Sequence, residues 1–233
     1  MILSNECWMK DACWKVKHSD TSCLTENKYC PKLFRLNELY NKALLSSKQR
    51  LHLDLRLDED RCDLDIFNQL KQVEENIELF VNSGSNLYLY SRNTGCVKTS
   101  WALRLIQSYF NRIWHKSDLE CHALFIHVPR YLISLKDSFN ERNEYVDYIK
   151  DNLTKADLVV FDEISYKPAT SFELETLLNI INTRIDMGKA NIFTSNDSPE
   201  EFRNKLGDRL YSRVINTSTL IQFVGSDKRN IRS

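Results

Sequence analysis

The sequence predicts an α/β fold, a parallel sheet flanked by helices, preceded by a small cysteine-rich helical module. Three observations predict it. From Asn86 onward, short apolar runs alternate with longer amphipathic stretches, the pattern of a parallel sheet covered on both faces. Glycine and proline are scarce, five and four in 233 residues, which excludes collagen, flexible linkers and low-complexity arms and favours helix. Four of the seven cysteines fall within the first thirty residues, in a segment with almost no aliphatic periodicity.

That first segment places Cys7, Cys13, Cys23 and Cys30 at C-x5-C-x9-C-x6-C, with His18 between the second and third. A segment that cannot build its own core needs a staple, and thiolates on zinc provide one. Four soft ligands predict a closed, tetrahedral, structural zinc site. The ligands are all four cysteines, or His18 replaces one. From Pro31 to about Val81 the spacing is helical: Leu33, Leu36, Leu39, Tyr40, Leu44 and Leu45, then Phe67, Leu70, Val73, Ile77 and Phe80. Asn82-Ser83-Gly84-Ser85 is a turn cluster and the entrance to a second domain. The expected domains are residues 1–80 and 81–233.

Within the second domain, Leu87–Tyr90 reads as a strand and Lys98–Trp114 as a helix. Ala123–Val128 is a strand, followed by a helical region from Tyr131 to Asn152. Asp157–Phe161 is an apolar strand, and Ser171–Asp186 a helix that Gly188 stops. Asn191–Thr194 is a strand. Pro199–Leu206 and Arg209–Val214 are two short helices, and Leu220–Val224 is a closing strand.

Lysine plus arginine equals aspartate plus glutamate at 32 each, so no whole-chain basic field exists to bind nucleic acid non-specifically. The distribution is uneven. Residues 54–78 hold nine acids against three bases, and residues 202–233 hold seven bases against two acids. The basic stretch is either a solvated helix face or a local anion-binding surface. No secretory signal or apolar run of membrane-spanning length is visible. The odd cysteine count forbids complete pairing within one chain, so a reducing, cytoplasmic location is expected.

Chemistry concentrates at four places. The first strand runs into Ser91-Arg92-Asn93-Thr94-Gly95-Cys96-Val97-Lys98-Thr99-Ser100 and then a helix. Strand, loop, Lys-Thr and helix is the context of a phosphate-binding loop. Backbone N–H groups at a helix start face an anion, Lys98 adds charge, and the Thr99 hydroxyl can reach Mg²⁺. The G-x4-G-K-[ST] pattern asks for glycine at 92 and 97, where this chain has Arg92 and Val97. A β-branched residue suits that second position poorly if its φ is positive. Leu158-Val159-Val160-Phe161-Asp162-Glu163 is an apolar strand ending in two acids. There the first acid would hold Mg²⁺ and the second would polarise an attacking water. Thr194-Ser195-Asn196 ends the next strand and is read either as a cleft-facing polar group or as a helix cap. Arg209 and Arg213, four apart, share a helix face and suit an ion pair, a nucleic-acid phosphate or an arginine finger.

In this order the elements resemble the AAA+ core of bacterial and phage replicative helicase loaders of the DnaC/DnaI type. The resemblance rests on LYLYSRNTGCVKTSWAL, LFIHVPRYLISLK, ADLVVFDEIS, ANIFTSN, LGDRLYSRV and the following GSDKR. The cysteine cluster looks like the zinc-bearing, helicase-binding domain that DnaI-type loaders place before the ATPase. By position, Gly95, Cys96, Val97, Lys98, Thr99 and Ser100 fall in the P-loop, and Asp162 and Glu163 in Walker B. Asn196 matches sensor 1, Arg213 the arginine finger acting in trans, and Arg229 sensor 2. The chain ends at Ser233, so the helical lid of larger AAA+ proteins is expected to be missing.

The resemblance implies a loader that binds the replicative DNA helicase and delivers it to single-stranded DNA under control of ATP and Mg²⁺. It also implies self-association through the AAA+ core and weak or partner-stimulated hydrolysis. The alternative is a nucleotide-independent adaptor or inhibitor of the helicase machinery with a degenerate P-loop. A transposition-type AAA+ regulator shares the core motifs, but the cysteine module and the short C-terminus argue against it.

Overall fold

A computed structural model of the chain describes residues 30–50, 64–92 and 97–224. Helix α1 (Pro31–Lys42) opens on proline, whose missing N–H falls where no helical bond is required. A 3₁₀ turn (Ser47–Arg50), α2 (Leu64–Glu75) and α3 (Ile77–Asn82) follow. Five strands come next: β1 (Asn86–Tyr90), β2 (Ala123–His127), β3 (Leu158–Asp162), β4 (Ala190–Ser195) and β5 (Ser218–Gln222). They form one sheet in the order β2-β3-β4-β1-β5, and every pair is parallel. Helix α4 (Lys98–Ile113) joins β1 to β2; α5 (Val128–Asp137) and α6 (Glu144–Asn152) join β2 to β3. Helix α7 (Ser171–Asp186) joins β3 to β4, and α8 (Pro199–Val214) joins β4 to β5.

Strands buried on both faces read as continuous apolar runs, and these do. Their side chains alternate between two cores. Leu87, Leu89, Val160 and Ile192 pack under α1 to α4, while Tyr88, Val159, Phe161 and Phe193 pack under α5 to α8. Each such side chain, fully buried, contributes about 1.5–3 kcal/mol of transfer free energy. The two layers therefore fix the strand ends that carry the polar residues discussed below.

The helix starts follow from local chemistry. Thr170 and Glu173 form a capping box on α7, and Ser198 and Glu201 form one on α8. Asn143 Oδ1 accepts the N–H groups of Tyr145 and Val146 at 3.1 and 3.3 Å, so the helical region after β2 breaks into α5 and α6. Leu44 and Leu45 do not continue α1: Leu44 has φ 61, and the chain turns there. Gly207 (φ 80, ψ 168) is non-helical and splits α8 where the sequence places two short helices. The closing strand begins at Ser218, two residues before its expected start.

The sequence divides near residue 80, but the packing is continuous across it. Leu36, Leu39, Leu70 and Ile77 lie in the same core as Leu87, Trp101 and Phe110. The Phe125 N–H, on edge strand β2, donates to Ala43 O at 3.0 Å. Phe67 meets Trp101 edge to face, and Glu74 pairs with Arg104 at 2.8 Å. The described part of residues 1–80 is therefore attached to the sheet by apolar contact and by charge. No helix among the described residues is long and apolar enough to cross a membrane.

At the N-terminal ends of the strands, Arg184 is wholly buried. Its guanidinium donates to Asn191 Oδ1 and to the carbonyls of Leu153, Ala156 and Ala190. Burial lowers its pKa to about 9, yet four acceptors take up four of its five N–H donors. Asn191 in turn donates to Asn86 Oδ1 at 2.8 Å, tying the central strand β4 to its neighbour β1.

Candidate functional site

At the opposite, C-terminal edge of the sheet, β1 and β3 deliver the predicted residues to one place. Strand β1 ends at Tyr90 and the chain re-enters the described structure at Val97, immediately before α4. Lys98 begins α4 and is only 8% exposed. Thr99 Oγ1 donates to Asp162 Oδ1 at 2.8 Å. This bond joins the start of α4 to the end of β3 and crosses the gap between the first two predicted motifs.

Asp162 is buried, and Thr194 Oγ1 on β4 donates to the same Oδ1 at 2.7 Å. Burial pushes the Asp162 carboxyl up; the two hydroxyls from Thr194 and Thr99 oppose this, and the neighbouring Glu163 charge adds to it. The balance leaves its pKa raised. A buried carboxylate that already gathers two hydroxyls on one oxygen is a group that a divalent ion would stabilise. Hard oxygen donors of this kind suit Mg²⁺. Thr99 and Asp162 therefore fit the magnesium role that the sequence suggests for them.

Glu163 is exposed and has φ 56. Its N–H donates to Thr194 Oγ1 at 3.0 Å, so one threonine hydroxyl ties both acids to β4. Its Oε2 lies 3.2 Å from His127 Nε2 at the end of β2. His127 Nδ1 accepts the Arg130 N–H as the N-cap of α5, which leaves Nε2 as the ring nitrogen able to donate to Glu163.

Val97 has φ 48 and ψ 12, the left-handed region. The position that asks for glycine in the phosphate-loop pattern thus keeps the backbone that glycine would adopt, at a strain of about 1–3 kcal/mol for this side chain. Its isopropyl group packs against the apolar core on the α4 side of the sheet. Arg92, at the other departure from the pattern, lies 3.4 Å from Glu201 on α8, with both side chains exposed.

The remaining predicted residues are distributed as follows. Ser100 is half-buried in the first turn of α4. Asn196 is exposed just beyond β4, and it is Thr194, two residues earlier, that touches Asp162. Arg209 and Arg213 are exposed on the second segment of α8, and their side chains make no ion pair among the described residues. Gly95, Cys96 and Arg229 lie outside the described residues, as do Cys7, Cys13, Cys23 and His18. Cys30 is a half-buried free thiol at the start of α1. Among the described residues no three His, Cys, Asp or Glu side chains cluster as metal ligands.

Sequence reasoning singled out neither His127 nor the Asp162-binding role of Thr194. Both had a readable signal. Polar residues at the C-terminal ends of strands in a parallel sheet face the crevice where ligands bind.

A five-stranded parallel sheet in this order, with paired acids ending β3 beside the start of the helix after β1, defines an AAA+ fold. Residues 69–220 match the bacterial DnaA ATPase domain, and the chain belongs to that family. No curated protein sequence matches it. Among solved structures, it is similar to the DnaC helicase loader, with a TM-score of 0.61 and 15% identity, covering 76% of this chain and 99% of that one. It is similar to DnaI, with a TM-score of 0.57 and 20% identity over 84% of this chain and 100% of that one. AMPPCP-bound DnaA from Aquifex aeolicus gives a TM-score of 0.54 and 17% identity over 72% of this chain and 48% of that one. At these identities the likeness is one of fold.

Proposed function

We propose that the chain is a replicative helicase loader whose AAA+ core binds ATP with Mg²⁺. The observation that carries this reading is the bond from Thr99 to Asp162, which brings the two predicted nucleotide motifs together within the DnaA family fold. In this reading Gly95, Cys96, Val97, Lys98, Thr99 and Ser100 hold the phosphates, with Lys98 supplying positive charge. Thr99 and Asp162 hold Mg²⁺, which when bound neutralises phosphate charge. Glu163 orients and polarises the attacking water, and His127 and the Thr194 hydroxyl fix where Glu163 stands. Asn196 senses the terminal phosphate. Arg213, exposed, reaches a neighbouring subunit's site, so that self-association completes it, and Arg229 contributes from the C-terminal segment.

The cysteine-bearing N-terminal segment is proposed as the zinc-stapled, helicase-binding part, with Cys7, Cys13, Cys23 and Cys30 as ligands. The AAA+ core would contact single-stranded DNA, and hydrolysis would release the loader from the helicase in the cytoplasm.

The test is an equilibrium titration of the zinc-replete protein with a fluorescent ATP analogue and Mg²⁺, followed by a helicase-loading assay on single-stranded DNA. Saturable micromolar binding, lost in Lys98→Ala together with loading, is the expected result. A second reading is favoured by the β-branched Val97 at φ 48: a nucleotide-independent adaptor or inhibitor of the helicase machinery. In that case no nucleotide binds, the helicase contact survives, and Lys98→Ala changes neither.

A further inference from the structure

Beside the paired acids, but on the α8 side, lies a second polar cluster that the nucleotide reading does not use. Lys205, on the first segment of α8, reaches back to Asp197 Oδ1 at 2.7 Å. The same ammonium lies 3.4 Å from the carbonyl of Ser165, two residues after Glu163. Asp197 is 7% exposed, and its Oδ2 is buried with no hydrogen-bond partner among the described residues. Its N–H donates to Ser195 Oγ at 2.8 Å, and its carbonyl accepts the Tyr88 hydroxyl at 2.9 Å from β1. Ser165 and Ser195 share a hydroxyl–hydroxyl bond, and both are buried.

The cluster therefore holds three pieces of chain together: the turn that carries Glu163, the end of β4, and α8. The carboxylate of this pair is enclosed while the lysine is about a third exposed, and a carboxylate so placed is costly to leave unpaired. Removing the lysine strands a buried carboxylate already short of one partner, whereas an exposed pair would contribute little. The Ser195 hydroxyl bridges the acid-bearing turn and Asp197 from β4, and the ammonium bridges the same two from α8. Gly207 then follows two residues later and frees the second segment of α8 to take its own direction.

We propose that Lys205, through Asp197 and Ser165, is a positioning residue. It clamps the turn bearing Glu163 to the first segment of α8, and so sets the acid end of β3 against the helix that carries Arg209 and Arg213. The clamp is a property of the chain itself, and only its kinetic consequence rests on the ATPase reading.

The experiment is amide hydrogen exchange on the full-length, zinc-replete protein and on Lys205→Met, Asp197→Asn and Lys205→Arg. Lys205→Met and Asp197→Asn are expected to speed exchange at least tenfold at residues 163–166 and 198–206, leaving β1 and α4 within twofold. Lys205→Arg, which keeps the charge, is expected to restore most of the protection. Exchange unchanged at 163–166 overturns the proposal. So does a uniform rise across the sheet in both neutralised variants, because that marks general destabilisation. Where the parent hydrolyses ATP, kcat is expected to fall about tenfold in Lys205→Met with KM within twofold, and an unchanged kcat counts against the clamp. A parent with no hydrolysis defeats the ATPase reading alone, and the exchange result still decides the clamp.

Discussion

At residue scale the site turns on two unusual backbones and one shared hydroxyl. Val97 and Glu163 both have positive φ, and both sit at the C-terminal edge of the sheet, Val97 at the start of α4 and Glu163 just past β3. Strain at Val97 is retained because the helix it opens and the packing of its side chain against the core hold it there. Val97→Gly is expected to tighten binding of the ATP analogue about tenfold, as read by the same titration. Stability should move by under ~1 kcal/mol, since relief of strain is offset by lost packing against the core. Thr194 serves both acids through one oxygen. Thr194→Val leaves the Glu163 N–H unpaired and takes one donor from buried Asp162, which is expected to cost about 1–3 kcal/mol in denaturant unfolding. Thr194→Ser, which keeps the oxygen, should recover most of it.

At the scale of elements, the two turns that carry Gly84 and Gly188 press together. Gly84 has φ 63, and a Cβ there would sit 2.4 Å from Gly188 O. Gly188 has φ 64, but a Cβ on it meets nothing within 4 Å. Gly84→Ala is therefore expected to lower the melting temperature clearly more than Gly188→Ala, which bears only the backbone strain of about 1–2 kcal/mol. Equal losses would show that the close approach is not what Gly84 is for.

The same turns illustrate what the sequence made legible. Asn82 to Ser85 reads as a turn, and Ser171–Asp186 is bounded correctly at both ends, because caps and stops are local chemistry. The strands were readable because burial on both faces leaves a continuous apolar run. The candidate site was legible where a motif fixes spacing: Lys98 and Thr99 open one helix, Asp162 ends one strand with Glu163 just after it, and the bond from Thr99 to Asp162 brings the two together. What the sequence did not disclose is non-local. Nothing near Lys205 announces that its ammonium meets Asp197 and Ser165, and nothing in the apolar residues of α1, α2 and α3 shows that they share the sheet's core. The break between α5 and α6 depended on which of several asparagines caps, and Asn143 does.

At the scale of the whole molecule, charge pairs tie distant segments, and pH should report them. Asp157 is pushed up by burial, but hydrogen bonds from His122 and Lys189 outweigh this and bring it down to about 2. Its contribution is present above the carboxylate's ordinary pKa and is lost as pH falls towards 2. The His122 pKa is raised, first by its bond to Asp157, with burial opposing and Asp118 assisting. That contribution is complete below the ordinary histidine pKa and is lost as pH rises through the raised value. His122→Gln should therefore flatten the decline in stability above neutrality, as measured by chemical denaturation across pH. It should also weaken the protection of Asp157 in acid. A decline above neutrality that is as steep in the variant as in the parent would assign it to other groups.

The sheet order has a further consequence, for how the chain assembles. Strand β1 occupies an interior position, yet its neighbours β4 and β5 are made last: Asn86 meets Asn191 and Thr217 across 105 and 131 intervening steps of sequence. Strands β2 and β3 can pair with each other earlier. During synthesis the apolar Leu87, Tyr88 and Leu89 emerge long before anything can cover both their edges. Contacts this remote in sequence slow folding and lengthen the exposure of unpaired strand to other chains. A nascent chain stopped before β4 would present β1 without either of its neighbours, which makes this part of the protein a natural client for chaperones.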